Sequence, residues 1–433
     1  MSSVIKIYAL FLGSALLMFG GGLQGLLLSV RGAEEGFSLL SLGLIGTGWS
    51  MGFVSGSICV PLVVRKVGHI RAFSVMAAIG TVTILLNLLM IHDWSWIILR
   101  ALSGFCFAGA AMIVESWLNE VSDNRSRGTI FSIYTTINMT ASTLGQIAMS
   151  MTGTAGYVPF VLGAISFICA VLPTALTSSP QPRPLSSAKL DIRLLYKTSP
   201  VAAIAAFSVG MANGSFGTLA PVYGYQQGLD AQGIAYLFAL AATLGAIAQI
   251  PFGRLSDRID RRLVLIGLSG TAAVVGALTV IINPAGGWMM YVLFALYGFS
   301  ANPIYAVAVA HANDFAKDGD FAKIAGGMLL ILGFGLALGP AIASMIMGAF
   351  SPVGLFMVTA TFHALLALTA FLRMRVRNAP DVAGRTPFQP MGSEKQVTPE
   401  SVALDPRADS DDIPPSDAAS DEVEKSDVQV GAV

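Results

Sequence analysis

Twelve long apolar segments run through this chain, and the second six repeat the first six. At an offset of 192, Gly25, Gly32 and Gly36 align with Gly217, Gly224 and Gly228. At an offset of 194, Leu102, Gly104 and Phe105 align with Leu296, Gly298 and Phe299, and Asn119-Glu120 with Asn313-Asp314. The same offset pairs Gly145 with Gly339 and Ser150-Met151 with Ser344-Met345. A hydrocarbon core about 30 Å thick needs around 20 apolar residues per crossing helix. Segments of that length lie near residues 7–29, 39–63, 71–91, 95–118, 128–151, 156–177, 200–223, 232–253, 263–282, 287–310, 322–347 and 353–373. They are rich in Gly and Ala and lack the strict alternation over about ten residues that marks membrane β-strands. The expected fold is an all-α integral membrane protein of about twelve transmembrane helices in two pseudo-symmetric six-helix bundles. Two similar halves of this kind can rock about a central site.

Composition agrees. Hydrophobic residues make up 54% of the chain and charged residues 12%, against about 25% charged in a soluble domain. The first segment runs for more than 20 residues from Lys6 without a clear small-x-small cleavage site, so it reads as a helix rather than a removable signal peptide. Cys59, Cys106 and Cys169 all fall inside predicted helices, giving neither a disulfide framework nor a metal spacing, and read as small apolar fillers.

Four regions are expected: a six-helix bundle over 1–177, a linker over 178–199, a second bundle over 200–377 and a tail over 378–433. Pro180, Pro182 and Pro184, with the linker's charges, forbid a crossing there. After Arg377 the tail has twelve acidic and four basic residues, no hydrophobic period and much Pro, Ser and Ala, which predicts disorder. Basic residues cluster at alternate loops, at Lys6, Arg65-Lys66-Arg71, Arg125 and Arg127, Arg183 to Lys197, Arg254 to Arg262, Lys317 and Lys323, and Arg373 to Arg377. The opposite loops hold only Arg31. Lys and Arg accumulate on the cytoplasmic side of membrane helices, so an even number of crossings with both termini in the cytoplasm is expected.

The loop after the eighth segment reads Gly253-Arg254-Leu255-Ser256-Asp257-Arg258-Ile259-Asp260-Arg261-Arg262. Asp257 sits at a helix C-terminus, where the macrodipole disfavours an anion, and so should have a compensating partner such as a nearby Arg or another helix's N-terminus. The equivalent first-half loop keeps Gly68 and the basic residues but has Arg65 where the acid would stand. The fourth segment carries Arg100, followed four residues on by Gly104, and ends near Glu115-Ser116. An intramembrane Arg usually faces a bundle interior or a water-filled cavity; snorkelling to the nearby aromatic edge is the other reading. Glu115 lies fifteen residues on, about 22 Å along a helix, so it cannot pair with Arg100. It is the best embedded carboxylate for proton coupling, and equally a plain interfacial anion or a partner for Arg125. The eleventh segment carries Gly333, Gly335, Gly339 and Pro340, with Gly335, Gly339 and Ala343 spaced to admit a neighbouring helix. Gly48-Trp49-Ser50-Met51-Gly52 fits the G-x-S-x-G of a hydrolase, but that motif needs a strand–turn–helix corner. In mid-helix, Gly48, Gly52 and Gly56 make a packing face instead. There is no Walker phosphate loop, zinc-protease HExxH or CxxC pair, so neither an enzyme nor an ATP-driven pump is expected.

The Gly253–Arg262 loop resembles the G-x-L-x-D-R-x-x-R-R signature of the major facilitator superfamily, and Arg100-x-x-x-Gly104 resembles the superfamily's fourth-helix pattern. The order Arg100, Glu115-Ser116, Arg127-Gly128, Gly145-Gln146 is similar to its bacterial YcaD-like branch. The resemblance covers residues 1–377 and implies that helices 1, 4, 7 and 10 line a cavity. Carried onto this chain, the polar candidates are Gln24, Arg100, Asn213, Tyr223, Tyr297, Asn302 and Tyr305, with Asn138 and Gln249 on flanking helices and His363 and Asn87 on peripheral ones, as structural polar residues. It also implies a cytoplasmic latch at Gly253, Asp257, Arg258, Arg261 and Arg262, for which a solvated basic turn is the alternative. The expected function is secondary active transport of a small organic solute by alternating access. The solute would be neutral, zwitterionic or anionic, since the cavity offers a cation and no mid-depth acid. Proton coupling, a monomeric state, no cofactor, no metal and no nucleic-acid partner follow from the resemblance, in a bacterial inner membrane. The alternative is a transporter-like receptor or scaffold working through its acidic tail; a passive channel is a third reading.

Overall fold

The computed structural model describes residues 3–122, 127–175, 191–316, 320–376, 385, 388–391 and 398–400. Arg125, Arg183, Lys189, Lys317, Arg377 and the three linker prolines lie outside the described residues. The first half contains α1 (Ser3–Glu34), α2 (Leu39–Val67), α3 (His69–Leu89), α4 (Asp93–Val121), α5 (Arg127–Thr152), α6 (Val158–Cys169) and α7 (Val171–Ala175). A short α8 (Ile192–Thr198) follows, capped by Asp191, which accepts from the Leu194 N–H at 2.8 Å. The second half contains α9 (Pro200–Gln226), α10 (Ala231–Arg258), α11 (Arg261–Ile282), α12 (Gly287–Asn313), α13 (Phe321–Ala349) and α14 (Gly354–Met374). Ten of these helices are long and apolar enough to cross a membrane. The remaining two crossings are α5, long but richer in Thr, Ser and Asn, and the pair α6–α7. That pair breaks at Ala170 because Pro173 has no N–H to give the Cys169 carbonyl.

The repeat read from the sequence is a repeat of packing. In the first half α1 packs on α5, α2 on α4 and α3 on α6; in the second, α9 packs on α13, α10 on α12 and α11 on α14. The aligned glycines sit at equivalent seams. A Cβ at Gly145 would collide with the Phe19 carbonyl of α1, and one at Gly339 with the Met211 carbonyl of α9. One at Gly104 would strike the Trp49 carbonyl, and one at Gly298 the Ala241 carbonyl. Phe19 and Met211, like Trp49 and Ala241, are themselves 192 residues apart. Missing side chains let the backbones approach, which is how membrane helices pack without a hydrophobic driving force. The stripe in α2 does the same: Gly48, Gly52 and Gly56 face the carbonyls of Ile97, Ala101 and Phe105 on α4. Ser50 of the hydrolase-like motif donates to the Gly46 carbonyl at 3.1 Å, within its own helix.

The halves meet along α2 with α13, α5 with α10 and α1 with α9. Interlocking contacts of α2 lie in its first half, away from the face that carries the basic loops. Gly43 abuts Ser344, Gly46 abuts Thr218, and Thr47 Oγ1 donates to the Ala337 carbonyl at 2.6 Å.

Candidate functional site

Between the halves lies a cavity of about 240 Å³. Its wall draws on both halves: Gly25, Trp49 and Arg100 from the first, Asn213, Tyr297 and Asn302 from the second, with Gln249 at the side. The volume is a little under the ~300–1,000 Å³ of drug-sized sites, so the space suits a small solute.

Arg100 dominates the electrostatics. It is 9% exposed and its Nη1 donates to Gln24 Oε1 at 3.1 Å, an oxygen that also accepts from Ser103 Oγ at 3.1 Å. Its guanidinium lies 5.7 Å from the centroid of the Trp49 ring, within cation–π range. Among the described residues no carboxylate lies in ion-pair range of it, and its Nε has no hydrogen-bond partner. The charge is thus held inside the protein by an amide and an indole face, not turned outward. Gln24 positions Arg100 rather than lining the cavity itself.

On the second-half wall, Phe216 stacks on Tyr297 with centroids 4.5 Å apart, and the Tyr297 hydroxyl bonds His363 Nε2 at 3.2 Å. His363, expected as a peripheral structural residue, therefore touches a cavity side chain. Two expected cavity residues lie elsewhere. Tyr223 is fully buried in an aromatic cluster with Phe294 and Phe356, ten residues or about 15 Å along α9 from Asn213. Tyr305 is in the apolar core of the second half. A helix can line a small chamber with one face over only a few turns, and both tyrosines fall outside that stretch. Trp49, Phe107 and Gln146 line it without having been singled out.

Glu115 is completely buried near the other end of α4 and does not line the cavity. Tyr134 Oη donates to its Oε1 at 2.8 Å. Deeper in the same half, Ser14 Oγ donates to Asn138 Oδ1 at 2.6 Å, and Asn138 precedes the cavity residue Met139.

At the basic face, Asp257 has the expected cationic partner. Arg261 is 1% exposed and reaches Asp257 Oδ1 from Nη2 at 3.2 Å, Asp314 Oδ2 from Nε at 2.7 Å and Ser256 Oγ from Nη1 at 3.0 Å. It ties the end of α10 to the end of α12. Arg262 forks onto Asp260 and donates to the Arg373 carbonyl at 3.2 Å, tying the same turn to the end of α14. These bonds hold the Asp260 carboxyl below the usual carboxylate range, against a burial that pushes it up. Arg258 points outward and is exposed.

Most of the tail lies outside the described residues, but three pieces of it are placed. Arg385 donates to the Ile259 carbonyl. The Phe388 N–H donates to both Asp257 oxygens, at 3.0 and 3.3 Å, and its ring covers Gly253 so closely that a Cβ there would collide with it. Gln249 takes both ends of the Met391 peptide, accepting from its N–H at 3.0 Å and donating to its carbonyl at 2.9 Å. Thr398 Oγ1 donates to Glu115 Oε2, and Asn119 Nδ2 donates to the Glu400 carbonyl at 3.2 Å.

A profile of the Major Facilitator Superfamily matches residues 10–248 and 202–407. The chain belongs to that superfamily. Among curated relatives, the MFS-type transporter YcaD of Shigella flexneri is 26% identical over 359 residues, covering 82% of this chain and 90% of the relative. YcaD of Escherichia coli matches to the same extent. Solved structures share the fold at low identity. The nucleoside transporter NupG superposes with a TM-score of 0.68 at 13% identity, covering 87% of this chain and all of NupG. A bacterial homologue of the lysosomal transporter Spinster, inward-facing and occupied, gives 0.67 at 15%, covering 88% and 97%. A D-xylose–proton symporter gives 0.66 at 14%, covering 89% and 100%. The protein is a multi-pass bacterial membrane transporter of this superfamily, akin to the YcaD branch, and not an enzyme.

Proposed function

We propose that this protein is a secondary active transporter that moves a small organic solute across the cytoplasmic membrane by alternating access. The basic face is cytoplasmic, with both termini on that side, and the halves before 178 and after 199 rock against each other. The observation that carries the reading is the chamber shared by both halves, with a buried guanidinium on one wall and the Tyr297–His363 pair and Asn302 on the other. A solute bridging the two walls binds both halves at once, and its differential affinity for two arrangements is what moves such an equilibrium. Arg100 selects for a carboxylate, phosphate or other electron-rich group, because it offers donors in a fixed fork and meets no protein anion. Contacts between halves away from the basic face support an arrangement whose chamber faces the cytoplasm.

Glu115 is the coupling carboxylate in this reading. Tyr134 links it towards Ser14, Asn138 and the chamber, giving a proton a polar route through an apolar half. The Gly253–Arg262 turn is the cytoplasmic gate element, with Asp257 and Arg261 as its working pair.

The test has two stages. Thermal shift of the purified protein against small carboxylates, phosphates, nucleosides and pentoses identifies a ligand, since binding to the folded state raises its apparent stability. Flux of that ligand in proteoliposomes, with and without a pH gradient, then compares wild type with Arg100→Ala and Glu115→Gln. Loss of binding in Arg100→Ala and loss of gradient dependence in Glu115→Gln are expected. Wild-type behaviour in both removes these residues from the mechanism.

A further inference from the structure

The tail is the part of the molecule that neither the repeat nor the transport cycle requires, and its described pieces occupy the place where the cycle needs free space. Phe388 and Met391 join the apolar core of the second half, while Thr398 and Glu400 are buried against α4 of the first. Together they sit on α4 of the first half and α10 of the second towards the basic face, and Met391 bonds Gln249, a residue of the chamber wall. The contacts use backbone groups as well as side chains, so this is a built seat rather than a loose apposition. They also engage the two acids with proposed roles: Asp257 accepts from the Phe388 N–H, and Glu115 accepts from Thr398.

We propose that Phe388–Met391 and Thr398–Glu400 form a self-inhibitory plug, in which the protein's own C-terminal chain closes the basic-face mouth and wedges the halves apart there. The inference rests on the alternating-access reading for its consequence, but not for its test. In alternating access the ends of α4 and α10 at the basic face must approach each other when the chamber opens to the other side. With Met391 on Gln249 and Thr398 on Glu115 they cannot, so each cycle requires the plug to leave. Since the plug is tethered to α14, it competes at the high effective concentration of an intramolecular ligand. A cytoplasmic partner that binds the tail would release the brake; a free solute would have to displace it.

The experiment measures access to the chamber and needs no solute. A cysteine-free protein (Cys59→Ala, Cys106→Ala, Cys169→Ala) receives one reporter, Gln146→Cys, on the chamber wall. Purified protein is labelled with N-ethylmaleimide as the full chain, as a chain ending at Val376, and as full-length Phe388→Ala and Thr398→Ala. Labelling of the truncated chain should be about tenfold faster than that of the full chain, a local closure worth about 1.4 kcal/mol. The point variants should fall between. A second reporter on the opposite face, Tyr157→Cys, should label equally in every background. Equal Gln146→Cys rates in the full and truncated chains, whether both fast or both slow, would overturn the proposal. If truncation prevents folding, the two full-length variants decide: unchanged rates in both reject the plug. Labelling that speeds up without a change in flux would separate the plug from the transport reading.

Discussion

The two halves share a scaffold and divide its chemistry. The first buries a cation at the chamber, where Arg100 rests on Gln24 and Trp49, and a carboxylate, Glu115, away from it. Its loop between α2 and α3 has no acid: Arg65, Lys66 and Arg71 around Gly68 are exposed, and the buried His69 meets Ser116 of α4 at 3.4 Å. The second reverses this. Its chamber wall is uncharged, built on Phe216, Tyr297 and Asn302, while its loop holds Arg261 at 1% exposure between Asp257 and Asp314. A glycine skeleton is retained at equivalent seams in both, so the divergence lies in the side chains facing the chamber and the basic face. The lesson is that pseudo-symmetry of packing need not carry pseudo-symmetry of side-chain chemistry: one bundle holds a buried guanidinium at the chamber, the other holds one in its loop.

The sharpest way to break this contrast is at the loops. Arg261→Ala removes the buried guanidinium that bridges Asp257 and Asp314 and should cost about 3–5 kcal/mol, whereas Arg65→Ala should stay within about 0.5 kcal/mol. Melting of the purified variants by intrinsic fluorescence reads both; similar losses would show that the loops are not differentiated. Next comes recognition. Arg100→Ala should weaken an anionic solute by about 10- to 100-fold, the ~1.5–3 kcal/mol of a charge-assisted hydrogen bond. Tyr297→Phe should weaken it less than tenfold, and calorimetric titration of the ligand found by thermal shift compares the two walls. The seams give a symmetric check. Gly145→Val and Gly339→Val should each destabilise by about 1–3 kcal/mol through overpacking against a carbonyl, and markedly unequal losses would mean that the two seams are not equivalent. The smallest effect is at Asp260. Its depressed carboxyl contributes at neutral pH, and that contribution is lost as pH falls through its native value, which lies below the ordinary ~3.9. Asp260→Asn should therefore destabilise the protein slightly at pH 7, by no more than about 1 kcal/mol, read as a small drop in melting temperature, and the difference should shrink below about pH 4.

How far these regions could be read from the residues alone follows from the range of each signal. The crossings, the repeat and the need of Asp257 for a cation are local, and they correspond to helices, seams and the Arg261 contact. The direction in which Arg100 points follows from the cost of a charge in lipid. Tyr223 and Tyr305 lie away from the chamber lining, because knowing which helix lines a chamber does not tell which turns of it do. His363 contacts Tyr297 across 66 positions, and no periodicity announces such a pair. The tail is the extreme case. Thr398 meets Glu115 across 283 positions and Phe388 meets Asp257 across 131. Its composition announces no such contacts, because the residues met by those few positions belong to another part of the chain.

The seam at Gly145 and its twin at Gly339 have a consequence for how such a protein diversifies. Where main chain lies directly on main chain, no side chain remains to yield, and the neighbouring helices must travel together. Substitutions at Trp49, Asn213 or Asn302 can then alter what the chamber accepts while the moving parts keep their fit. Joints of this kind let a chain change what its chamber accepts without reinventing its machinery.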